Sequence, residues 1–266
     1  VFASSLQEGA VAAINYAFTL TSIVPEVFAL SMITVLYPEL SELFVKNEQE
    51  LFGKKVTKLL AQTTIILIPV TVIFLAEGDW IVRFLFQRGA FDEQATNLTV
   101  QVLRGYSIGM LPIGISFILC KVFFARKEVM IPTISFGISI LLNLLFDAAT
   151  SGQTMIGLTS FTTVSITLAT VGMFMILVKK KAISKVNRIM VTFFKSILSG
   201  IAMGLLIGVM RKYSMLLFLQ NGTVVRFLIL AVVTLIAGLA YLLIMFILRE
   251  ETLLDEIDRI KTKFTK

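Results

Sequence analysis

The run from Phe227 to Leu248, FLILAVVTLIAGLAYLLIMFIL, contains no charged residue. Crossing the hydrocarbon core of a bilayer takes about 20 such residues. Val186 to Met210 is a second run of this kind, with only Arg188 and Lys195, both near its start. Composition agrees: 57% of residues are apolar and 15% charged, where soluble domains carry roughly 25% charged residues. Too few polar side chains remain to cover a water-facing surface. A transmembrane β-barrel would show short alternating segments instead. The chain is expected to be all-α, a polytopic bundle of about seven spans.

The expected spans are Ala10–Tyr37, interrupted by Pro25; Leu59–Ala76, containing Pro69; Thr96–Val122, containing Pro112; Ile131–Ala149, started by Pro132; Ile156–Val178; Val186–Met210; and Val224–Leu248. An internal proline frees a carbonyl and kinks a helix, which bundles tolerate where neighbours supply a donor. Residues 1–185 are read as a five-span core, 186–248 as a two-span unit and 249–266 as a tail. In that tail Leu253, Ile257, Ile260 and Phe264 recur at helical spacing among charges. This is an amphipathic helix suited to a membrane surface, or to solvent or a partner. The chain opens at Val1 in mid-element, so half of a longer protein is expected.

Basic residues set the orientation. Eighteen of the 24 Lys and Arg lie after the first, third, fifth and seventh spans. Short cytoplasmic loops are enriched in them, which places Val1 outside and Lys266 in the cytoplasm. The net charge of +7 is thus topological, and no nucleic acid is expected. Between the second and third spans, DWIVRFLFQRGAFDEQAT reads as an outer hairpin loop. Gly89 makes its turn, Asp92 caps the next helix, Trp80 suits an interfacial belt, and Arg83 and Arg88 are available to anions.

Histidine is absent and Cys120 is the single cysteine. Zinc sites of the Cys/His kind and His-based nucleophilic catalysis are excluded, so no enzyme is expected. Polar groups within spans cost free energy and usually serve a cavity or a partner. Asn143 and Asp147, four apart, share a helix face. The following span offers Thr159 and Thr163, also four apart. These hard oxygens suit a small cation such as sodium. Alternatively, Asn143 bonds a neighbouring helix while Asp147 sits near the outer headgroups. Glu26, beside Pro25 and preceded by Thr19, Thr21 and Ser22, marks either a wet cavity or a packed, protonated carboxyl.

Four stretches carry a family resemblance: LQEGAVAAINYAFTL, TVLYPELSE (Thr34–Glu42), IVRFLFQRGAFD (Ile81–Asp92) and FFARKEVMIPT (Phe123–Thr133). Together they resemble the MurJ (MviN) lipid II flippases, from the eighth of fourteen spans onward. The resemblance implies the fold of the multidrug/oligosaccharidyl-lipid/polysaccharide exporters, with two lobes about a central cavity. It implies alternating access that moves an undecaprenyl-pyrophosphate-linked peptidoglycan precursor across the bacterial cytoplasmic membrane. The partners so implied are that precursor, membrane lipids and an N-terminal lobe. It also implies a lipid-tail groove on the last two spans, where Gly200, Gly204 and Gly208 repeat, and a sodium site at Asn143, Asp147, Thr163 and the Thr159 carbonyl. Thr19, Glu26 and Arg104 are the candidate cavity residues. Where the family carries Asp-Arg this chain has Phe18-Thr19. That departure leaves open a different lipid-linked substrate, an exporter of another polysaccharide intermediate, or a scaffold that does not transport.

Overall fold

The computed structural model describes residues 9–149, 155–220 and 222–264. The helices are α1 (Ala10–Val45), α2 (Gln49–Phe86), α3 (Glu93–Ser107), α4 (Met110–Ala125), α5 (Met130–Ala149), α6 (Met155–Lys179), α7 (Val186–Gln220), α8 (Thr223–Ile247) and α9 (Glu251–Phe264). Among the described residues six are long and apolar enough to cross a membrane; α3 and α4, bent by 47° about their junction, make a seventh span. The seven-span helical bundle therefore matches the sequence expectation. The link Thr150–Thr154 and the opening residues 1–8 lie outside the described residues.

Several boundaries move. The first span was expected to break at Pro25, yet α1 runs on through Pro25 and Pro38. In hydrocarbon a broken helix exposes carbonyls that nothing solvates, so the chain keeps every bond it can. The bend falls instead at Ser107–Met110, one turn before Pro112, whose ring crowds the Ile108 carbonyl and whose nitrogen has no hydrogen to give it. The expected outer loop from Asp79 is also mostly helical. α2 continues to Phe86 and α7 to Gln220, about ten residues past each expected end. At 1.5 Å per residue α2 is roughly 57 Å long, against a hydrocarbon core of about 30 Å.

These two overhangs hold each other. Trp80 stacks on Phe218, with ring centroids 4.2 Å apart and an interplanar angle of 8°. Arg211 reaches Asp79 Oδ2 at 2.6 Å, donates to the Ala76 carbonyl, and lies 4.7 Å from the Trp80 ring centroid. Arg226 caps α7, donating through Nε to the Phe218 carbonyl at 2.9 Å. Trp80 is therefore a buried packing residue, 2% exposed, rather than a member of an interfacial belt. The true loop is short. Gly89 adopts φ +58° and Asp92 accepts from the Ala95 N–H at 2.8 Å, as the sequence foresaw. Arg83 is taken up by Glu93 at 2.6 Å.

The opposite end of the bundle, here the basic face, has its own regularity. α1, α4, α6 and α8 all end there with a residue in the left-handed region: Asn47, Lys127, Lys181 and Arg249, at φ 60°, 61°, 55° and 49°. Each time the next N–H reaches back to the helix, as Glu48 to Leu43, Glu128 to Phe123, Ala182 to Leu177 and Glu250 to Met245. This Schellman closure satisfies orphan carbonyls, usually around a glycine. Here basic residues occupy three of the four positions, and their charge also complements the helix C-terminus.

α9 docks by its first turns instead of lying free. Lys58 pairs with Glu256, Arg188 with Asp255 at 2.7 Å, and Leu253 joins the apolar cluster of α2, α7 and α8. The side chains of Ile260 and Phe264, the outer half of the expected amphipathic stripe, lie outside the described residues. α7 packs extensively on α2 as well as on α8, through Met203, Ile207, Val233 and Tyr241 against Ile65 and Ile68.

A broken helix, a polar seam and an apolar cavity

The break between α3 and α4 organises the polar groups. Gly109 N–H turns to the Tyr106 carbonyl at 2.9 Å, which deprives the Gly105 carbonyl of its usual i+4 donor. Thr163 of α6 replaces that donor, its Oγ1 donating at 3.1 Å. One and two turns along, Thr167 bonds its own helix at Thr163 and Thr170 donates to the Pro112 carbonyl at 3.2 Å. Glycine is required for this approach. A Cβ on Gly105 would lie 2.0 Å from Thr159 Oγ1, and one on Gly109 3.0 Å from Thr163 Oγ1. Thr159 and Thr163 thus face α3.

α5 lies on the other side of α6. Asn143 Nδ2 donates to Thr162 Oγ1 at 3.0 Å, and Phe146 stacks on Phe161 with centroids 5.3 Å apart. Asp147 is buried, and among the described residues its Oδ1 has no hydrogen-bond partner. Thr159 and Thr163 thus meet α3, whereas Asn143 and Asp147 stand on α5, and the direct bond from Asn143 goes to Thr162.

The candidate cavity residues lie along the α1–α3 seam. Phe18 meets Tyr106 edge-on at 5.8 Å. Thr19 follows Phe18 and Arg104 precedes Tyr106 by two, and both are exposed. Thr19 Oγ1 donates to its own helix, to the Asn15 carbonyl at 2.8 Å. Glu26, two turns further on α1, is half-buried.

A cavity of about 720 Å³ opens between α2, α4, α6 and α7, lined by Val72, Leu111, Pro112, Phe193, Gly200 and Gly204 among others. Gly200 is there because Ile68 and Val72 leave it no room: a Cβ would sit 3.1 Å from Ile68. Gly208 is exposed, with nothing within 4 Å of its position, and does not line the cavity. This cavity is shared by α7 with α2, α4 and α6; a second, apolar recess of about 420 Å³ lies between α7 and α8 alone, lined by Met210, Tyr213, Leu228 and Val232 among others.

Sequence reading missed Glu77. It is 0% exposed, and among the described residues neither carboxylate oxygen has a hydrogen-bond partner. The signal was present: EGD interrupts an apolar stretch that resumes as WIVRFLF. Had that second stretch been taken as helix, Glu77 would have stood inside it.

Seven crossings, a broken span satisfied by threonines and an apolar cavity define a multi-pass helical membrane protein. The family model for Lipid II flippase MurJ matches residues 1–223, and the chain belongs to that family. It is 25% identical over 143 residues to the probable lipid II flippase MurJ of Treponema pallidum (strain Nichols), covering 54% of this chain and 27% of that one. It is 31% identical over 144 residues to that of Rhizobium meliloti (strain 1021), covering 53% and 26%. A solved structure described as lipid II flippase MurJ in the inward closed conformation matches with a TM-score of 0.63 at 23% identity, covering 85% of this chain and 46% of that one. The match thus spans about a quarter of each curated relative and just under half of the solved chain.

Proposed function

We propose that the chain forms one lobe of a flippase for a lipid-linked cell-wall precursor in the bacterial cytoplasmic membrane. Membership of the MurJ family carries this reading, and the geometry supports it. The 720 Å³ apolar cavity accepts part of a polyprenyl tail. The α1–α3 seam, with Thr19, Glu26 and Arg104, faces the headgroup pathway shared with an N-terminal lobe. Alternating access then carries the undecaprenyl-pyrophosphate-linked muropeptide from the inner to the outer leaflet. Thr19 in place of the family arginine favours a second reading, a different lipid-linked headgroup. Arg104, exposed on the same seam, is the guanidinium available there for a pyrophosphate. Transport of the peptidoglycan precursor by the full-length protein in vesicles tests this. Loss of flipping in Arg104→Ala is expected; flipping unchanged in that variant would overturn its role.

The residues also fit sodium. The oxygen-only donor set and the unpartnered Asp147 Oδ1 suit a hard cation. Asn143, Asp147, Thr163 and the Thr159 carbonyl would hold it, and the ion would fix α5 against α6. Asp147→Ala is expected to abolish the gain in melting temperature that sodium gives over choline; an equal gain in the variant would refute the assignment.

The basic face is read as cytoplasmic. In a Cys120→Ser background, a cysteine at Ala90 should react with an impermeant thiol reagent in intact cells and one at Lys179 should not. Reversed labelling would invert the topology.

A further inference from the structure

The basic face holds a second cavity, of about 630 Å³, between the start of α7 and the corner from α8 to α9. Lys185, Arg188, Lys195 and Arg249 line it, against Glu250 and Glu251. The acids are already engaged. Glu250, 1% exposed, accepts from Thr192 Oγ1 at 2.6 Å and from the Thr252 N–H at 3.3 Å, with Lys195 Nζ at 3.6 Å. Glu251 lies 3.6 Å from Arg188, which also holds Asp255.

Two cations are left over. Lys185 and Arg249 are exposed, and among the described residues neither side chain has an acidic partner. Arg249 moreover occupies a left-handed position, φ 49°, where glycine would be less strained. The amino end of α7, with no acid in its first turn, adds a positive dipole end to the same wall.

An apolar track begins at the cavity. Val191 lines it, and Val191, Phe194, Leu198, Ile201 and Leu205 are all exposed. Their spacing of three, four, three and four puts them on one face of α7, running from the basic face into the spanning stretch. A soluble anion has no use for such a track; an acyl chain does.

We propose that this cavity binds the phosphate headgroup of an anionic phospholipid from the leaflet at the basic face, with an acyl chain laid along α7. Basic recesses between membrane helices suit such headgroups. Lys185, Arg249 and the α7 amino end take the phosphate, and Lys195 and Arg188, already paired, form the floor. Bound there, the lipid bridges α7 to the α8–α9 corner. The proposal does not depend on what the chain transports.

Thermal unfolding of the full chain in detergent tests it, with phosphatidylglycerol, phosphatidylcholine or inorganic phosphate added. Phosphatidylglycerol alone is expected to raise the midpoint. In the Lys185→Gln/Arg249→Gly variant its apparent affinity should fall about 25-fold, taking roughly fivefold for each basic residue near an anionic surface. Glycine suits the backbone at position 249, so the lipid-free midpoint of the variant should not fall. A phosphatidylglycerol shift retained in the variant, or an equal shift with phosphatidylcholine, would overturn the site. A full shift with inorganic phosphate would overturn the lipid assignment. Neither sodium dependence nor labelling sidedness enters this readout, so it can fail while the flippase reading stands.

Discussion

Gly105→Ala is expected to lower the stability of the helical bundle by about 1–3 kcal/mol, the usual cost of forcing an extra methyl into a filled interface. The added Cβ would lie 2.0 Å from Thr159 Oγ1 and 2.9 Å from Thr159 Cβ. α6 would have to move away from α3, which would also stretch the 3.1 Å bond from Thr163 to the Gly105 carbonyl. That carbonyl has lost its helical donor, so it would be left bare in an apolar interior. Thr159→Ala in the same chain should recover part of the loss, because it removes the nearer clash and leaves the farther one. Melting of the two single variants and the double, arranged as a cycle, gives the coupling. Strict additivity would show that the two residues do not meet.

Glu77→Met is expected to act in the opposite direction, raising stability by roughly 1–3 kcal/mol. A buried polar group without a hydrogen bond costs about that much in proteins, and Glu77 is 0% exposed with both oxygens unpartnered among the described residues. The nearby guanidinium of Arg211 is committed to Asp79 and to the Ala76 carbonyl. Methionine fills a similar volume without the polar penalty. Asp79→Asn is the control, and should lower stability by weakening the 2.6 Å pair with Arg211. A lower midpoint in Glu77→Met would mean that the carboxyl makes a favourable contact, and would point to a retained role for it.

Uncharged length and charge alternation made the fold legible. Phe227–Leu248 could be nothing but a span, and the few residues between the fourth and fifth spans made them neighbours, as α5 and α6 are. The extents of α2 and α7 were not legible. A helix leaving the bilayer loses the apolar signal that marks it, and what keeps residues 79–86 helical is Trp80 against Phe218, well over a hundred positions away. Chain periodicity cannot report a contact of that range. The polar seam was half legible. The four-residue spacing of Asn143 and Asp147 placed them on one face, and the break near Pro112 was expected in kind. That Thr163 serves Gly105 while Thr162 serves Asn143 depends on the rotation of α6 about its own axis, which packing sets. Glu77 was hidden for the same reason as the overhang it stands on.

Thr170 has a consequence for motion. Its hydroxyl lies 2.7 Å from the Ile166 carbonyl in its own helix and 3.2 Å from the Pro112 carbonyl across the interface. One proton is thereby shared between a local and a distant acceptor. If the angle between α3 and α4 opens or closes, that proton can shift its weight from one acceptor to the other, so Thr170 does not lose its acceptor as the span flexes. A joint of this kind can bend in a dry interior without admitting water, and the resistance to bending passes from hydrogen bonding to the side chains packed around it.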